Sequence, residues 1–132
     1  VKLNIICRGI CIVKPDLPSL KGNMKIISII DKFLEHSRHF VFANGSHPKF
    51  DFGLADWMVS KLDHLFEVIC PIYDDRLKAE VMDMLKIQLA DNVKARLLES
   101  ERINQYKTNN SSEKVRSQFA LYDYFKDKLI KN

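Results

Sequence analysis

Phe33-Leu34-Glu35-His36-Ser37-Arg38-His39-Phe40-Val41-Phe42-Ala43-Asn44-Gly45 is the stretch on which the reading of this chain turns. Phe40-Val41-Phe42 is an apolar run of strand-forming residues, and Asn44-Gly45 closes it with a turn signal. Lys49-Phe50-Asp51-Phe52 follows beyond Ser46-His47-Pro48, so residues 36–42 and 49–52 are expected to pair as a hairpin. Residues two apart in a strand project to the same face. On that expectation His36 and Arg38 point into one space. An imidazole that carries a proton near neutral pH, beside a guanidinium with a fixed fork of donors, suits phosphoryl chemistry.

Upstream, residues 2–7 form a short apolar strand ending at Arg8-Gly9, and Pro15, Pro18 and Gly22 break the chain across a loop. Met24-Lys25-Ile26-Ile27-Ser28-Ile29-Ile30 has the β-branched character of a strand covered on both faces. Downstream, residues 55–62 read as a short helix and 65–72 as a returning strand. Asp74-Asp75 then caps a strong helix that opposes its charge to the helix dipole and runs to about Ala90, with Leu77, Val81, Met84 or Leu85, Gln88 and Leu89 at helical spacing. After a polar, irregular stretch through 104–112, Ser112-Glu113 is expected to start a last helix. Its residues Val115, Phe119, Tyr122, Phe125 and Leu129 recur at steps of three and four, as a core-facing stripe. Strands mostly within 1–72 and helices mostly within 74–130 predict a layered α/β or α+β fold, with 1–132 as a single domain.

The 132 residues suffice for one core, and 46% hydrophobic with 29% charged residues is an ordinary globular composition. No apolar run approaches the ~20 residues that span a bilayer. Lys2, Asn4 and Arg8 interrupt the N-terminal apolar stretch, unlike a signal peptide. Cys7, Cys11 and Cys70 lack the spacing of a zinc site or of paired disulfides, and read as reduced, mostly buried thiols of a cytoplasmic protein. The net charge of +4 suits a polyanionic partner, yet no dense basic stripe interleaved with aromatics points to nucleic acid. The chain opens directly on a strand without a methionine, so a piece of something longer is expected.

Several blocks belong together. Arg8-Gly9-Ile10-Cys11, the segment 33–38, Gly53-Leu54-Ala55-Asp56-Trp57-Met58 and Ala90-Asp91-Asn92-Val93-Lys94-Ala95-Arg96 resemble the C-terminal catalytic domain of bacterial polyphosphate kinases, relatives of the phospholipase D fold. Lys114-Val115-Arg116-Ser117-Gln118 and Leu121-Tyr122-Asp123-Tyr124 resemble that family's last helix. The resemblance implies a mixed sheet with flanking helices, of which this chain holds part. It implies reversible transfer of the terminal phosphoryl group of ATP to inorganic polyphosphate by a longer enzyme. ATP or ADP, polyphosphate and the remaining domains of the same chain would be the partners. Magnesium is expected in the full-length enzyme, bound outside this segment, and no metal ligand is assigned here. No nucleic acid is expected, a homo-oligomer of the full-length enzyme stays open, and the location is cytoplasmic or, for the full-length enzyme, membrane-associated.

Carried over residue by residue, the resemblance makes His36 the catalytic residue that gives a proton or hydrogen bond to the phosphoryl group in transit. Arg8, His36 and Arg38 become the residues that bind nucleotide or polyphosphate, with a structural pairing to Glu35 or Asp51 as the alternative for Arg38. The family's phosphoryl-accepting histidine lies in an earlier domain, so the isolated chain is expected to be inactive. Lys94 and Arg96 line a polyphosphate path or occupy a solvated helix end. Asp56 and Trp57 cap and pack, or Asp56 serves the site. Departures are also visible. The phospholipase D pattern is His-x-Lys, four residues, then Asp; here Arg38 replaces the lysine and Ala43 the aspartate. Leu54 stands where the family commonly has serine, and Ser60 and Leu65 where it has arginines. The alternatives are a phospholipase-D-like phosphodiesterase or nuclease, and a degenerate, non-catalytic polyphosphate- or nucleotide-binding module.

Overall fold

Around the strand Met24–Ile29 the fold builds outward. Ile26, Ile27, Ser28 and Ile29 are all buried, as a strand covered on both faces requires. The computed structural model describes residues 1–8, 11, 13, 18–20, 22–54, 66–98, 104–108 and 112–131. They group into two compact units, Val1–Leu34 with Met84–Asn132, and Glu35–Asp83.

The first unit carries a four-stranded sheet, β1 (Leu3–Cys7), β2 (Met24–Ile29), β6 (Ala95–Leu97) and β7 (Gln105–Tyr106), in the order β1-β2-β6-β7. β1 runs parallel to β2 with Leu3 opposite Met24, whereas β6 is antiparallel to β2 with Ile29 opposite Ala95. The sheet is therefore mixed, in agreement with the expected fold class. Ile27, Ile29 and Ala95 form its buried cluster, against which Ile6, Leu89 and Leu97 pack. Burying one such isoleucine stabilises the fold by ~1.5–3 kcal/mol.

The second unit carries a three-stranded antiparallel sheet, β3 (Arg38–Phe42), β4 (Lys49–Gly53) and β5 (Ile69–Pro71). The predicted hairpin is present, with Arg38 opposite Gly53 and Phe42 opposite Lys49. Asn44, Gly45 and Ser46 all take left-handed φ values, of 46°, 59° and 71°, in a single 3₁₀ turn. The Asn44 amide Nδ2 holds that turn by donating to the His47 carbonyl at 3.0 Å.

Helix α1 (Asp75–Ala90) spans the two ranges of chain. Asp74 Oδ1 accepts the N–H groups of Arg76 at 2.8 Å and Leu77 at 3.2 Å, as its place before the helix predicts. Those bonds hold the Asp74 carboxyl below the usual aspartate range. Helix α2 (Ser117–Lys131) follows the sheet of the first unit.

Four expectations change. His36 precedes β3 instead of lying in it, so the shared strand face proposed for His36 and Arg38 does not exist. The returning strand is limited to Ile69–Pro71 rather than 65–72. Two short strands, β6 and β7, occupy residues read as helix end and irregular chain, while the other described strands all lie within 1–72, where most were expected. Helix α2 begins at Ser117 rather than at Ser112, and its stripe is not core-facing: Phe119, Tyr122 and Leu129 are exposed. What that helix buries is polar, Ser117 and Gln118. The helix read over 55–62 lies outside the described residues.

Candidate functional site

His36 is an exposed residue in the irregular segment 34–37 that leads into β3. Arg38, half-buried, opens the strand. Their connection is not a shared face but a direct bond: Arg38 Nη1 donates to the His36 carbonyl oxygen at 2.6 Å. A cationic donor on a neutral carbonyl is a charge-assisted bond of the stronger kind. It fixes the main chain at the histidine and places a positive charge two residues from the imidazole. Arg8, half-buried, stands at a bend just past the end of β1, in the first unit, while His36 and Arg38 belong to the second. The structure thus brings together two of the three predicted residues. Leu54 is exposed at the end of β4, while Asp56, Trp57, Ser60 and Leu65 lie outside the described residues.

Within the first unit, the chain that follows β2 is bonded to the start of helix α2. Arg116 forks the Asp31 carboxylate, Nε to Oδ2 at 2.8 Å and Nη2 to Oδ1 at 2.7 Å. The Asp31 side chain is 2% exposed and its pKa is lowered, chiefly by the Arg116 hydrogen bond. Two residues further, Gln118 pairs with the backbone of Phe33 as a neighbouring strand would. The Phe33 N–H donates to Gln118 Oε1 at 2.9 Å, and Gln118 Nε2 donates to the Phe33 carbonyl at 2.8 Å.

Those two side chains are themselves anchored at the tip of α2 by Asp91, which is wholly buried. Its Oδ1 accepts from the N–H groups of Val93 at 2.9 Å, Lys94 at 2.7 Å and Ala95 at 2.9 Å. Its Oδ2 accepts from the Ser117 N–H, the first of the helix, at 2.7 Å. Burial alone would raise the Asp91 pKa; the bonds from Ser117, Lys94 and Ala95 outweigh it, and the carboxyl stays below the usual range. Asn92 ties the same junction, accepting from Val115 N–H and donating to the Glu113 carbonyl, each at 2.8 Å.

The block 90–96 is therefore built around a structural carboxylate. Arg96 is not at a helix end. It sits on β6, donates to Asn104 at 2.5 Å and to the Tyr106 hydroxyl at 3.1 Å, and lies 4.6 Å from the centre of the Tyr106 ring. Asp91 carries a local signal, an Asp-Asn pair directly after a helix, which favours side-chain bonds to the following backbone. Asp31 and Gln118 carry none, since their partners lie 85 residues away. His39 was also missed as a feature. Its Nδ1 is buried without a hydrogen-bond partner, and burial lowers its pKa, which keeps the ring neutral at pH 7.

Cys7, Cys11 and Cys70 are free and half-buried. Burial, with a contribution from the Cys11 side chain, pushes the Cys7 thiol up to about 12, so at neutral pH it is not a thiolate. Among the described residues no three His, Cys, Asp or Glu side chains gather to hold a metal ion. Nor is any described helix long and apolar enough to cross a membrane.

The described residues define a mixed-sheet α/β protein in which an arginine is bonded to the main chain of an exposed histidine. Residues 1–118 match the family model described as polyphosphate kinase C-terminal domain 2, and the chain belongs to that family. It is 46% identical over 127 residues to a polyphosphate kinase of Vibrio cholerae, covering 96% of this chain and 18% of that protein. A polyphosphate kinase of Escherichia coli strain K12 is 41% identical over 126 residues, with the same coverage. The crystal structure of polyphosphate kinase from Porphyromonas gingivalis superposes with a TM-score of 0.94 at 39% identity, over 100% of this chain and 20% of that one. The chain thus spans about a fifth of the length of these relatives.

Proposed function

We propose that residues 1–132 are part of the C-terminal catalytic domain of a longer polyphosphate kinase. That enzyme transfers the terminal phosphoryl group of ATP reversibly to inorganic polyphosphate. The observation that best supports this reading is the occurrence of Arg8, His36 and Arg38 on the family's motifs, with Arg38 bonded to the carbonyl of His36. Phosphoryl transfer asks little covalent work of the protein beyond its histidine acceptor, and is accelerated by positioning and charge neutralisation. In this reading Arg8 forks two phosphate oxygens of the nucleotide, and Arg38 adds positive charge. His36 gives a proton or hydrogen bond to the group in transit.

The phosphoryl-accepting histidine is proposed to lie elsewhere in the parent enzyme. Magnesium, held by residues outside this chain, would shield charge on the phosphates. The assembled enzyme is proposed to work in the cytoplasm or at its membrane face. Hydrolysis of phosphodiesters is disfavoured because Ala43, at the position of the hydrolases' aspartate, offers no carboxylate.

Incubation with γ-labelled ATP tests the division of labour. The isolated chain should acquire no acid-labile phosphohistidine and make no polyphosphate. In the full-length enzyme, Arg8→Ala should weaken nucleotide binding and lower turnover together. Loss of one charge-assisted phosphate contact corresponds to a factor of ~10–100. Stable label on His36 of the isolated chain would overturn the supporting role given to it.

A further inference from the structure

We infer that the cavity lined by Lys25 and Lys107 is a site for a small phosphate-type oxyanion, either a free phosphate or pyrophosphate or a short stretch of polyphosphate. The cavity lies wholly in the first unit, has a volume of about 240 Å³, and is lined by Asn4, Ile5, Lys25, Ile27, Leu89 and Lys107. None of Arg8, His36 and Arg38 lines it, so the inference stands apart from the transfer step proposed above. Strand register explains the gathering. Asn4 of β1 is directly opposite Lys25 of β2. Ile27, two residues on from Lys25, falls on the same face of the sheet. Lys107 follows β7 and donates its backbone N–H to the Ala95 carbonyl of β6 at 2.8 Å. Ile27 is buried and Leu89 half-buried, so the cavity has apolar walls beneath its polar groups.

The lining selects both charge and size. Lys107 Nζ donates to the Leu89 carbonyl and, at 3.2 Å, to the Asp91 carbonyl. These carbonyls end helix α1, so the ammonium is anchored there and keeps one of its three N–H groups for a ligand. Burial lowers the Lys107 pKa; the Asp91 carboxylate opposes that shift and the charge of Lys25 adds to it. Two ammonium groups thus act on each other, and an anion of more than one charge beside them relieves the repulsion. Among the described residues that line the cavity there is no carboxylate, and the one on Asp91 is spent on four backbone N–H groups. Asn4 brings an amide that can donate to a further oxygen. The apolar walls lower the local dielectric and strengthen each of these contacts. Cavities that take drug-sized molecules run to ~300–1,000 Å³, so this one suits a small anion rather than a whole nucleotide.

The test reads the two lysines directly. A full-length polyphosphate kinase carrying this chain is acetylated with limiting acetic anhydride at fixed ionic strength, and each lysine is followed by mass spectrometry. Orthophosphate, pyrophosphate, long-chain polyphosphate and chloride are the probes. Pyrophosphate should protect Lys25 and Lys107 at concentrations that leave Lys49, an exposed lysine of the second unit, as reactive as before. Lys25→Gln should raise the half-protecting concentration at Lys107 by ~10–100-fold, the loss of one charge-assisted contact. Asn4→Asp, which sets a carboxylate against the anion, should act in the same direction at both lysines. Both substituted positions are exposed, and if one variant does not fold the other decides by the same readings. Protection by long chains as well as by pyrophosphate assigns the site to polyphosphate; protection by the short anions alone assigns it to free phosphates. Equal protection by chloride, equal protection of Lys49, or unchanged protection in a folded variant overturns the inference. Lysines that stay unreactive without any anion would mean that the rest of the enzyme covers the cavity, and overturn it too. His36→Ala should alter none of these readings whichever way its turnover falls, so failure here is separable from failure of the proposed function.

Discussion

At the scale of single residues, Asp91 does more for the structure than the motif it belongs to suggests. Four backbone N–H groups converge on its carboxylate, and one of them starts helix α2. Asp91→Asn keeps the shape but turns an acceptor into a donor against one of those groups. A buried donor left unsatisfied costs about 1–3 kcal/mol, and urea unfolding at pH 7 should show a loss of that size. Linkage gives the accompanying pH dependence. The folded carboxyl titrates below its ordinary value of 3.8, so its contribution is complete above that value and is lost as pH falls through the depressed one. The parent protein should lose stability over that acid window, and the variant should lose less there. Equal acid sensitivity in the two would contradict the assignment. His39 acts in the same direction at milder pH: its lowered pKa removes stability as pH falls below its ordinary value of 6.5.

At the scale of elements, Gly53 shows how close β4 and β5 approach. A Cβ built at Gly53 would meet the Val68 carbonyl oxygen at 2.6 Å, with Ile69 side-chain and backbone atoms at 3.3 and 3.4 Å. The obstacle is backbone, so Gly53→Ala must push the two strands apart, at ~1–3 kcal/mol for overpacking. Hydrogen exchange should show faster opening of the Phe52–Cys70 region than of β1 and β2. Unchanged protection there would mean that the β4–β5 register is wrong. Sequence patterns located β2, the β3–β4 hairpin and α1 because each carries its own signal: β-branched residues, Asn44-Gly45, and the Asp74 cap. They failed on β6 and β7, which are three and two residues long and contain Arg96 and Gln105, too short for a periodicity to register. They also misplaced the start of α2. Ser112-Glu113 is a local cap signal, whereas the cap in use is Asp91, 26 residues away from Ser117.

For the molecule as a whole, the fold class and the family were legible, since they rest on residue types within short blocks. The long-range bonds within the first unit were not. Asp31 with Arg116 and Phe33 with Gln118 are contacts across 85 residues, and no local pattern announces a partner that distant. The relation of His36 to Arg38 was wrongly read as a shared strand face, because β3 begins at Arg38, two residues after the expected start at His36. The apolar stripe of α2 marks one face without saying what covers it, and Phe119, Tyr122 and Leu129 stand exposed.

The central claim is that His36 works as the proton carrier of a phosphoryl transfer while the arginines hold the phosphates. Its most direct test is His36→Ala in the full-length enzyme, with ATP affinity and turnover measured side by side. Removing the imidazole leaves Arg8 and Arg38 in place, so affinity should stay within a few-fold. Turnover should fall by ~10²–10⁴, the usual contribution of a general acid–base group. Near-normal turnover in that variant would make His36 a structural histidine and contradict the account.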